Sequence, residues 1–290
     1  MQAFRKSCAQ YWNGGDGFMQ LSCPCFVAFD ADGNLAVSDL GNHHIQVRRY
    51  IDGSLMRIIG RKGARDGQFD QPHGIAFDRL GHLVVADSCN HRVQVFRYTD
   101  GAHVQTIGSK GDGAGQLRYP CDVAIDSDGN IVVHDGWLNG RIQVFQMSDG
   151  AHIKTLCCKG NSDGELKGSG CLAFDDECNL IVSDSDNSRI QVLRYSDGQH
   201  LRTIGRYGTG NGQFCLPRGI VFHSSGTLVV ADGANHRVQV LRYKDGAHLR
   251  SIGSEGCGIS QLRNPYGIAI DGDGRIVVCE PYNSRLQVMP

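Results

Sequence analysis

Three residues with metal-binding side chains recur at one interval in the first half of the chain. They are Cys25, His73 and Cys121, each directly after a proline and 48 positions from the next. Thiolate and imidazole are zinc ligands, and a catalytic zinc centre needs about three of them and one open position. His134 is a fourth candidate, because it replaces a small residue at a position that recurs along the chain. These residues make a metal-dependent enzyme one hypothesis for this protein.

The other cysteines follow no ligand spacing. Twelve cysteines are scattered over the 290 residues, without a CxxC pair or an even Cys/His ladder. Disulfide frameworks are typical of small secreted chains that cannot build a core, and this chain is long enough to build one. We therefore expect reduced thiols, no bound cofactor and a cytoplasmic protein. The alternatives are a secreted, disulfide-bonded protein and zinc bound at the residues above.

One segment that would position these residues recurs six times. VADSCNHRVQV, the second copy, corresponds to VSDLGNHHIQV, VHDGWLNGRIQV, VSDSDNSRIQV, VADGANHRVQV and VCEPYNSRLQV. The acidic residue of each copy lies 48 or 49 positions after the one before it. Self-similarity at periods of about 40 to 50 residues is typical of propeller blades.

Each repeat is predicted to hold four short strands. In the second copy they are GIAFD (74–78), HLVVAD (82–87), RVQVFRY (92–98) and HVQTIG (103–108). An Asp-Gly dipeptide between the last two is a hairpin signal, because glycine adopts positive φ without a Cβ penalty. The pattern predicts an all-β fold, a six-bladed β-propeller with four antiparallel strands per blade, and one domain over residues 1–290.

The two ends of the chain predict how the ring closes. The sixth repeat stops after its third strand, at RLQVMP. When residues 7–12 are shifted by one repeat, they fall on the fourth strand of the next copy. We therefore expect an N-terminal strand that completes the last blade and pairs with residues 285–289, which leaves no open sheet edge there.

The recurring Asn-His-Arg-Val-Gln-Val pattern, with Pro-x-Gly-Ile-Ala upstream, resembles the NHL repeat family over essentially the whole chain. The resemblance implies a propeller and three functional classes. NHL propellers of tripartite-motif and RING-type ubiquitin ligases recognise substrates, others bind single-stranded RNA, and the peptide-amidating lyases bind zinc through channel histidines. The fold does not choose among them. This sequence has no RING or B-box cysteine pattern, so ligase activity would need another subunit.

Residues that differ between repeats are the candidates for recognition. The position after the proline and the loops on the same face of a propeller carry them. The candidate binding residues are His73, Arg218, Tyr266, Trp137, Tyr282, Arg118, Tyr119 and Arg263. Exposed Trp, Tyr and Arg anchor protein interfaces. We predict a non-enzymatic protein-binding platform, with single-stranded RNA binding on this face and a metal-dependent lyase or hydrolase in the channel as alternatives.

Residues shared by all repeats are predicted to be structural. Asp87 and Arg92 are expected to pair across a loop, Asn90 to suit a left-handed turn, and Gln94 to satisfy backbone groups between blades. The Asp-x-Asp-Gly segments, such as the one at Asp30, lack the later carboxylates of a calcium loop, so we interpret them as hairpin turns.

Charge and hydropathy exclude other classes. The formal charge is −1, which argues against a dominant electrostatic grip on nucleic acid or an anionic membrane. No stretch approaches the roughly 18 apolar residues that span a bilayer. The N-terminal MQAFRKSCAQYW has no apolar core of a secretory signal. We expect a monomer that binds no membrane.

Overall fold

Six four-stranded antiparallel sheets form the structure. The computed structural model describes residues 10–13, 20–223 and 225–290, and only the backbone of residues 10–13. The first strand of each blade contacts the first strands of both neighbouring blades, so the sheets close into a ring around a channel. The predicted six-bladed β-propeller is confirmed.

Within blades 1 to 5 the strands follow chain order from the channel outwards. Blade 1 consists of Pro24–Phe29, Leu35–Asp39, His44–Arg48 and Leu55–Ile59. Blade 2 consists of Pro72–Phe77, His82–Asp87, Arg92–Arg97 and Ala102–Ile107. Blade 3 consists of Asp122–Ile125, Ile131–Asp135, Arg141–Phe145 and His152–Leu156. Blade 4 consists of Leu172–Phe174, Leu180–Asp184, Arg189–Leu193 and His200–Ile204. Blade 5 consists of Pro217–His223, Thr227–Asp232, Arg237–Arg242 and His248–Ile252.

Blade 6 joins the two ends of the chain. It consists of Ile268–Ile270, Ile276–Glu280, Arg285–Met289 and, outermost, the N-terminal strand Gln10–Asn13. Gln10 lies opposite Val288 and Asn13 opposite Arg285 in an antiparallel register. The predicted closure by the N-terminal strand is confirmed for residues 10–12, and residues 7–9 lie outside the described part of the chain.

The two ends of the ring differ in the connections that they carry. One end, the loop face, holds the loops between second and third strands and the loops between blades. It carries the 3-10 helices Ser88–Asn90, Ser185–Asn187, Gly233–Asn235 and Pro281–Asn283. It also carries the parallel pairs Ser109–Lys110 with Gln116–Leu117 and Cys158–Lys159 with Glu165–Leu166. The other end, the turn face, holds the tight hairpin turns. The described residues include no helix long and apolar enough to cross a membrane.

A buried carboxylate organises each loop between second and third strands. In blade 2, Asp87 is fully buried and accepts hydrogen bonds from Arg92 Nε at 2.8 Å and Asn90 Nδ2 at 2.9 Å. Gln94 Nε2 donates to Asp87 at 2.9 Å and to the Gln68 carbonyl at 2.7 Å, which ties down the loop between blades. The predicted roles of the acidic residue, the arginine and the glutamine are confirmed.

The prediction for Asn90 was wrong in one respect. Asn90 lies in a 3-10 helix, and the left-handed residue is the next one, His91, at φ 57°. Asn90 is instead held by its amide, which donates to the Asp87 carboxylate and to the Gly63 carbonyl at 2.9 Å. The imidazole of His91 accepts a hydrogen bond from the Tyr119 N–H at 3.2 Å, so this position links one blade to the next.

Tyrosine–aspartate hydrogen bonds link neighbouring blades on the turn face. Asp30 Oδ1 accepts hydrogen bonds from the N–H groups of Asp32 at 3.0 Å and Asn34 at 2.7 Å, which confirms the hairpin-turn interpretation. Its other oxygen accepts the Tyr98 hydroxyl of blade 2 at 2.8 Å. The equivalent bonds are Tyr50 to Asp271 (2.6 Å), Tyr195 to Asp126 (2.8 Å) and Tyr243 to Asp175 (2.7 Å).

Two junctions depart from this pattern. Met147 takes the tyrosine position in blade 3, and Asp78, the corresponding carboxylate of blade 2, instead lies 2.7 Å from Nδ1 of His82. In blade 5, His223 replaces the aspartate and lies 2.7 Å from the Ser225 hydroxyl. Among the described residues, the tyrosine–aspartate bonds therefore join blades 6, 1 and 2 and, separately, blades 3, 4 and 5.

Candidate functional site

The residues after the recurring proline, which is Ser169 in blade 4, form a ring at the loop-face end of the channel. In blade order they are Cys25, His73, Cys121, Gly170, Arg218 and Tyr266. Each lies at or just before the start of a first strand, where the chain enters from the preceding loop. Register shifts follow the proline in blades 1, 2 and 5, between Pro24 and Phe26, between Pro72 and Ile75 and between Pro217 and Ile220. The irregular backbone there interrupts the alternation of side chains between the two faces of the sheet.

Tyr266 of blade 6 spans the channel. Its ring lies 5.5 Å from the Phe26 ring of blade 1 and 6.3 Å from the His73 ring of blade 2, both edge-on. The Arg218 guanidinium of blade 5 lies 5.2 Å from its centroid, and its hydroxyl is 3.5 Å from Ser169 Oγ before blade 4. One side chain thus contacts residues from four other blades at the channel mouth.

Blade 4 supplies the polar partner of Arg218. Ser169 stands where the other blades have proline. Arg218 Nη1 donates to the Ser169 carbonyl at 3.1 Å and also to its hydroxyl, while Arg218 Nε is buried without a hydrogen-bond partner among the described residues. The serine therefore holds the guanidinium against Tyr266, which explains the departure of blade 4 from the repeat pattern.

His73 lies below this layer and is 8% exposed. Its Nδ1 is 3.7 Å from Cys25 Sγ. Burial and, to a smaller extent, the positive charge of Arg218 together lower the pKa of the imidazole to about 4. His73 is therefore neutral at physiological pH and supports Tyr266 from inside the channel, whereas the sequence placed it on the binding face.

The low pKa of His73 predicts a pH-dependent stability. Below the ordinary value of 6.5 the unfolded chain binds a proton that the folded chain binds only near pH 4. Stability present above pH 6.5 is therefore lost as the pH falls to 4, by about 3 kcal/mol for this group. Urea unfolding at both ends of this range should show that wild type loses this much more than His73→Phe. Equal losses in the two proteins would contradict it.

The four metal candidates separate into two pairs. Cys25 lies beside His73, whereas Cys121 Sγ lies 3.2 Å from the backbone carbonyl of His134. His134 is buried, and its Nδ1 lies 3.0 Å from the Gly170 carbonyl. Burial raises the pKa of the Cys25 thiol well above its ordinary value. Within residues 20–223 and 225–290, no three His, Cys, Asp or Glu side chains converge on one point.

The remaining candidate residues lie on the outer part of the loop face. Trp137 is 55% and Tyr282 65% exposed, and Arg263 is also exposed. Tyr119 is partly buried, with its ring 4.4 Å from the His91 ring. Arg118 Nε lies 2.7 Å from Asp112 Oδ1. The structure thus places the aromatic and basic candidates around the channel mouth that Tyr266 and Arg218 fill.

Sequence reasoning missed two cavities on the turn face. One of about 290 Å³ is lined by residues that include Phe77, Ile125, Phe174 and Tyr195. Another of about 360 Å³ lies between blades 6 and 1, beside Tyr50. Their apolar walls come from the last residues of the first strands. The one signal in the sequence is a repeated Phe or Ile before each of these hairpin turns.

This ring of four-stranded sheets defines a β-propeller, and solved structures share it. A streptogramin B lyase aligns with a TM-score of 0.66 and 12% identity, over 97% of this chain and 96% of that chain. The virginiamycin B lyase from Staphylococcus aureus aligns with a TM-score of 0.64 and 11% identity, over 97% and 98%. An auxiliary nutrient binding protein from Bacteroides ovatus aligns with 0.67 and 13% identity, over 93% and 69%. At such identities the likeness shows the fold alone.

The repeat itself is more specific than the fold. The family model of the NHL repeat matches residues 69–96 and 214–241, which run from the preceding loop into the third strands of blades 2 and 5. No curated protein matches this sequence. The six-bladed β-propeller therefore carries NHL repeats in blades 2 and 5, as the resemblance predicted.

Proposed function

We propose that this propeller is a non-enzymatic recognition platform that binds a protein partner through its loop face. The observation that carries the proposal is the position of Tyr266, which contacts residues from four other blades and fills the channel mouth together with Arg218. A filled mouth presents a continuous surface rather than an entrance to the channel. Such a surface suits an interface, in which a few aromatic and arginine anchors supply most of the binding energy.

The exposed residues around the filled mouth support a protein partner. Trp137, Tyr282 and Arg263 are of the types enriched at interface hot spots. We propose that residues 1–290 act as one domain and as a cytoplasmic monomer. In a ubiquitin-ligase system this domain would serve as the substrate-recognition part, with the catalytic step on another subunit.

The two alternative functions are binding of single-stranded RNA and metal-dependent lyase activity. Single-stranded RNA would stack on the aromatic rings and pair with the lysines of the loop face. A metal-dependent lyase would use the contact between Cys25 and His73, and two of the structurally similar proteins are lyases. Stoichiometric zinc in the purified protein, lost in His73→Ala, would contradict the non-enzymatic proposal.

Paired variants of the two faces test the proposal. Trp137→Ala, Arg263→Ala and Tyr282→Ala together remove one cation and two large rings from the loop face. Immobilised on beads, this variant should retain about tenfold less of the cell-lysate proteins that wild type retains, as measured by quantitative mass spectrometry. RNase treatment of the lysate should leave the wild-type result unchanged.

The matched control removes one cation and two large apolar side chains from the turn face. It carries Ile51→Ala, Arg79→Ala and Leu80→Ala, all at exposed positions. We expect it to retain what wild type retains. Equal losses in the two variants, or a loss only in the turn-face variant, would refute the assignment of the site, and a loss on RNase treatment would favour RNA.

A further inference from the structure

Blade 3 carries the one loop between second and third strands that exposes a tryptophan. Six positions separate Asp135 from Arg141, whereas five separate Asp87 from Arg92. Blades 2, 4, 5 and 6 form a 3-10 helix at this place, and residues 136–140 do not. The longer loop presents two apolar side chains side by side in the sequence, Trp137 at 55% and Leu138 at 43% exposure.

The loop has little freedom to bury these side chains. A methyl group on Gly136 would lie 2.5 Å from the Gly168 carbonyl oxygen, and one on Gly140 would lie 2.7 Å from the Lys159 Cα. Gly140 also has a left-handed backbone, at φ 58°. The loop is thus packed closely against the segment that leads into blade 4. Its backbone is held at both ends, and the apolar pair stays about half exposed.

A half-buried aromatic group adjoins the apolar pair. The Tyr119 ring lies 6.5 Å from the Trp137 ring at an interplanar angle of 43°. Tyr119 is held in turn by His91, whose ring lies 4.4 Å away and whose Nδ1 accepts the Tyr119 N–H. The tilt between the two rings leaves no parallel slot in which a nucleic-acid base would stack on both faces.

The loops around the apolar pair carry exposed lysines. Three exposed lysines lie on the flanking loops, namely Lys110, Lys159 and Lys167, and none forms an ion pair with the part of the chain that is described. Arg118 is the fourth cation. Four carboxylates lie on the same loops: Asp112 beside Arg118, Asp186 beside Gly168, and Asp163 and Glu165 between Lys159 and Lys167, of which Asp163 pairs with Arg189 at 3.3 Å. The charges of these loops therefore nearly balance, and the attraction for carboxylates of a ligand comes from the three lysines that form no ion pair with the described residues.

We propose that this blade 3 patch, formed by Trp137, Leu138, Tyr119, Lys110, Lys159 and Lys167, binds a short acidic peptide segment of a protein partner. An aliphatic or aromatic side chain of the peptide packs on Trp137 and Leu138, and carboxylates on either side of it pair with the lysines. The inference rests on the proposed function and adds the place of the anchor and the chemistry of the ligand. Leu138, which offers packing but no stacking, favours a peptide over RNA.

Selection from a phage-displayed library of random peptides on the immobilised protein tests the inference. We expect enriched sequences with a large apolar residue between Asp or Glu residues. The best of them, synthesised with a fluorescein label, should bind Trp137→Ala/Leu138→Ala at least about 30-fold more weakly than wild type in fluorescence anisotropy. Lys159→Glu/Lys167→Glu should also bind it more weakly, and high salt should weaken wild-type binding.

Ile51→Ala/Leu80→Ala is the matched control, because it removes two exposed apolar side chains from the turn face and should leave the affinity for the peptide within about twofold of wild type. No enrichment, enrichment of basic or uncharged peptides, or equal binding by Trp137→Ala/Leu138→Ala would overturn the inference. The inference would also be overturned if random single-stranded RNA displaced the peptide and if this RNA bound Trp137→Ala more weakly than wild type. If the loop-face triple variant loses its lysate proteins while Trp137→Ala/Leu138→Ala keeps them, the proposed function stands and this inference alone fails.

Discussion

Replacing Asp232 by alanine is expected to destabilise the propeller by about 3–5 kcal/mol, the usual cost of removing one partner from a buried ion pair. The carboxylate is fully buried and accepts hydrogen bonds from Arg237 Nε at 2.8 Å and Gln239 Nε2 at 2.9 Å. It also accepts from Asn235 Nδ2 at 2.9 Å and from the Cys215 N–H at 2.8 Å. Without it, a guanidinium and three neutral donors lose their shared acceptor.

Urea unfolding of wild type and Asp232→Ala measures this loss. Asp245→Ala in the same blade is the control, because that carboxylate is 51% exposed and lies 3.4 Å from an exposed Arg242. Exposed pairs of this kind contribute little to stability. If the two variants were equally stable, the buried carboxylates would not organise the loops as the geometry indicates.

Removing the N-terminal strand should also have a large effect. A chain that begins at residue 14 lacks Gln10–Asn13 and leaves Arg285–Met289 as an open edge. At about 1 kcal/mol for each backbone hydrogen bond, the four paired positions contribute about 4 kcal/mol. The truncated protein should therefore melt at a lower temperature and, because an open edge pairs with other chains, should self-associate in light scattering.

A peptide of residues 1–19 added in trans provides the control for this truncation. It should restore the melting temperature of the truncated protein, whereas a peptide of the same composition in scrambled order should not. Truncation without any change in melting temperature would show that the pairing with blade 6 does not stabilise the ring.

The fold could be predicted because it depends on what the repeats share. A strict period and Asp-Gly turns define strands and hairpins locally, and a missing fourth strand in the last repeat predicts where the N-terminal strand must lie. The Asp–Arg pairs followed from their constant spacing. The sequence predicted the left-handed backbone at Asn90, because asparagine adopts it more often than most residues. In the structure His91 adopts it, and the amide of Asn90 instead binds the Asp87 carboxylate.

The arrangement at the channel mouth could not be predicted in the same way. Whether a side chain at the position after the proline faces solvent depends on the width of the channel and on the reach of its neighbours. Tyr266 is long enough to cover His73, so equivalent positions in the repeat have unequal exposure. The role of Ser169 as a partner of Arg218 depends on contacts between separate blades, which no local pattern encodes.

The tyrosine–aspartate bonds are distributed unevenly, so the junctions between blades are not equally linked on the turn face. Within residues 20–223 and 225–290, four junctions carry a hydroxyl bound to a carboxylate, and the junctions between blades 2 and 3 and between blades 5 and 6 do not. On heating, a junction with fewer hydrogen bonds between neighbouring blades is expected to open before the others. On the turn face, amide hydrogens beside the junctions between blades 2 and 3 and between blades 5 and 6 should therefore exchange before those beside the four bonded junctions.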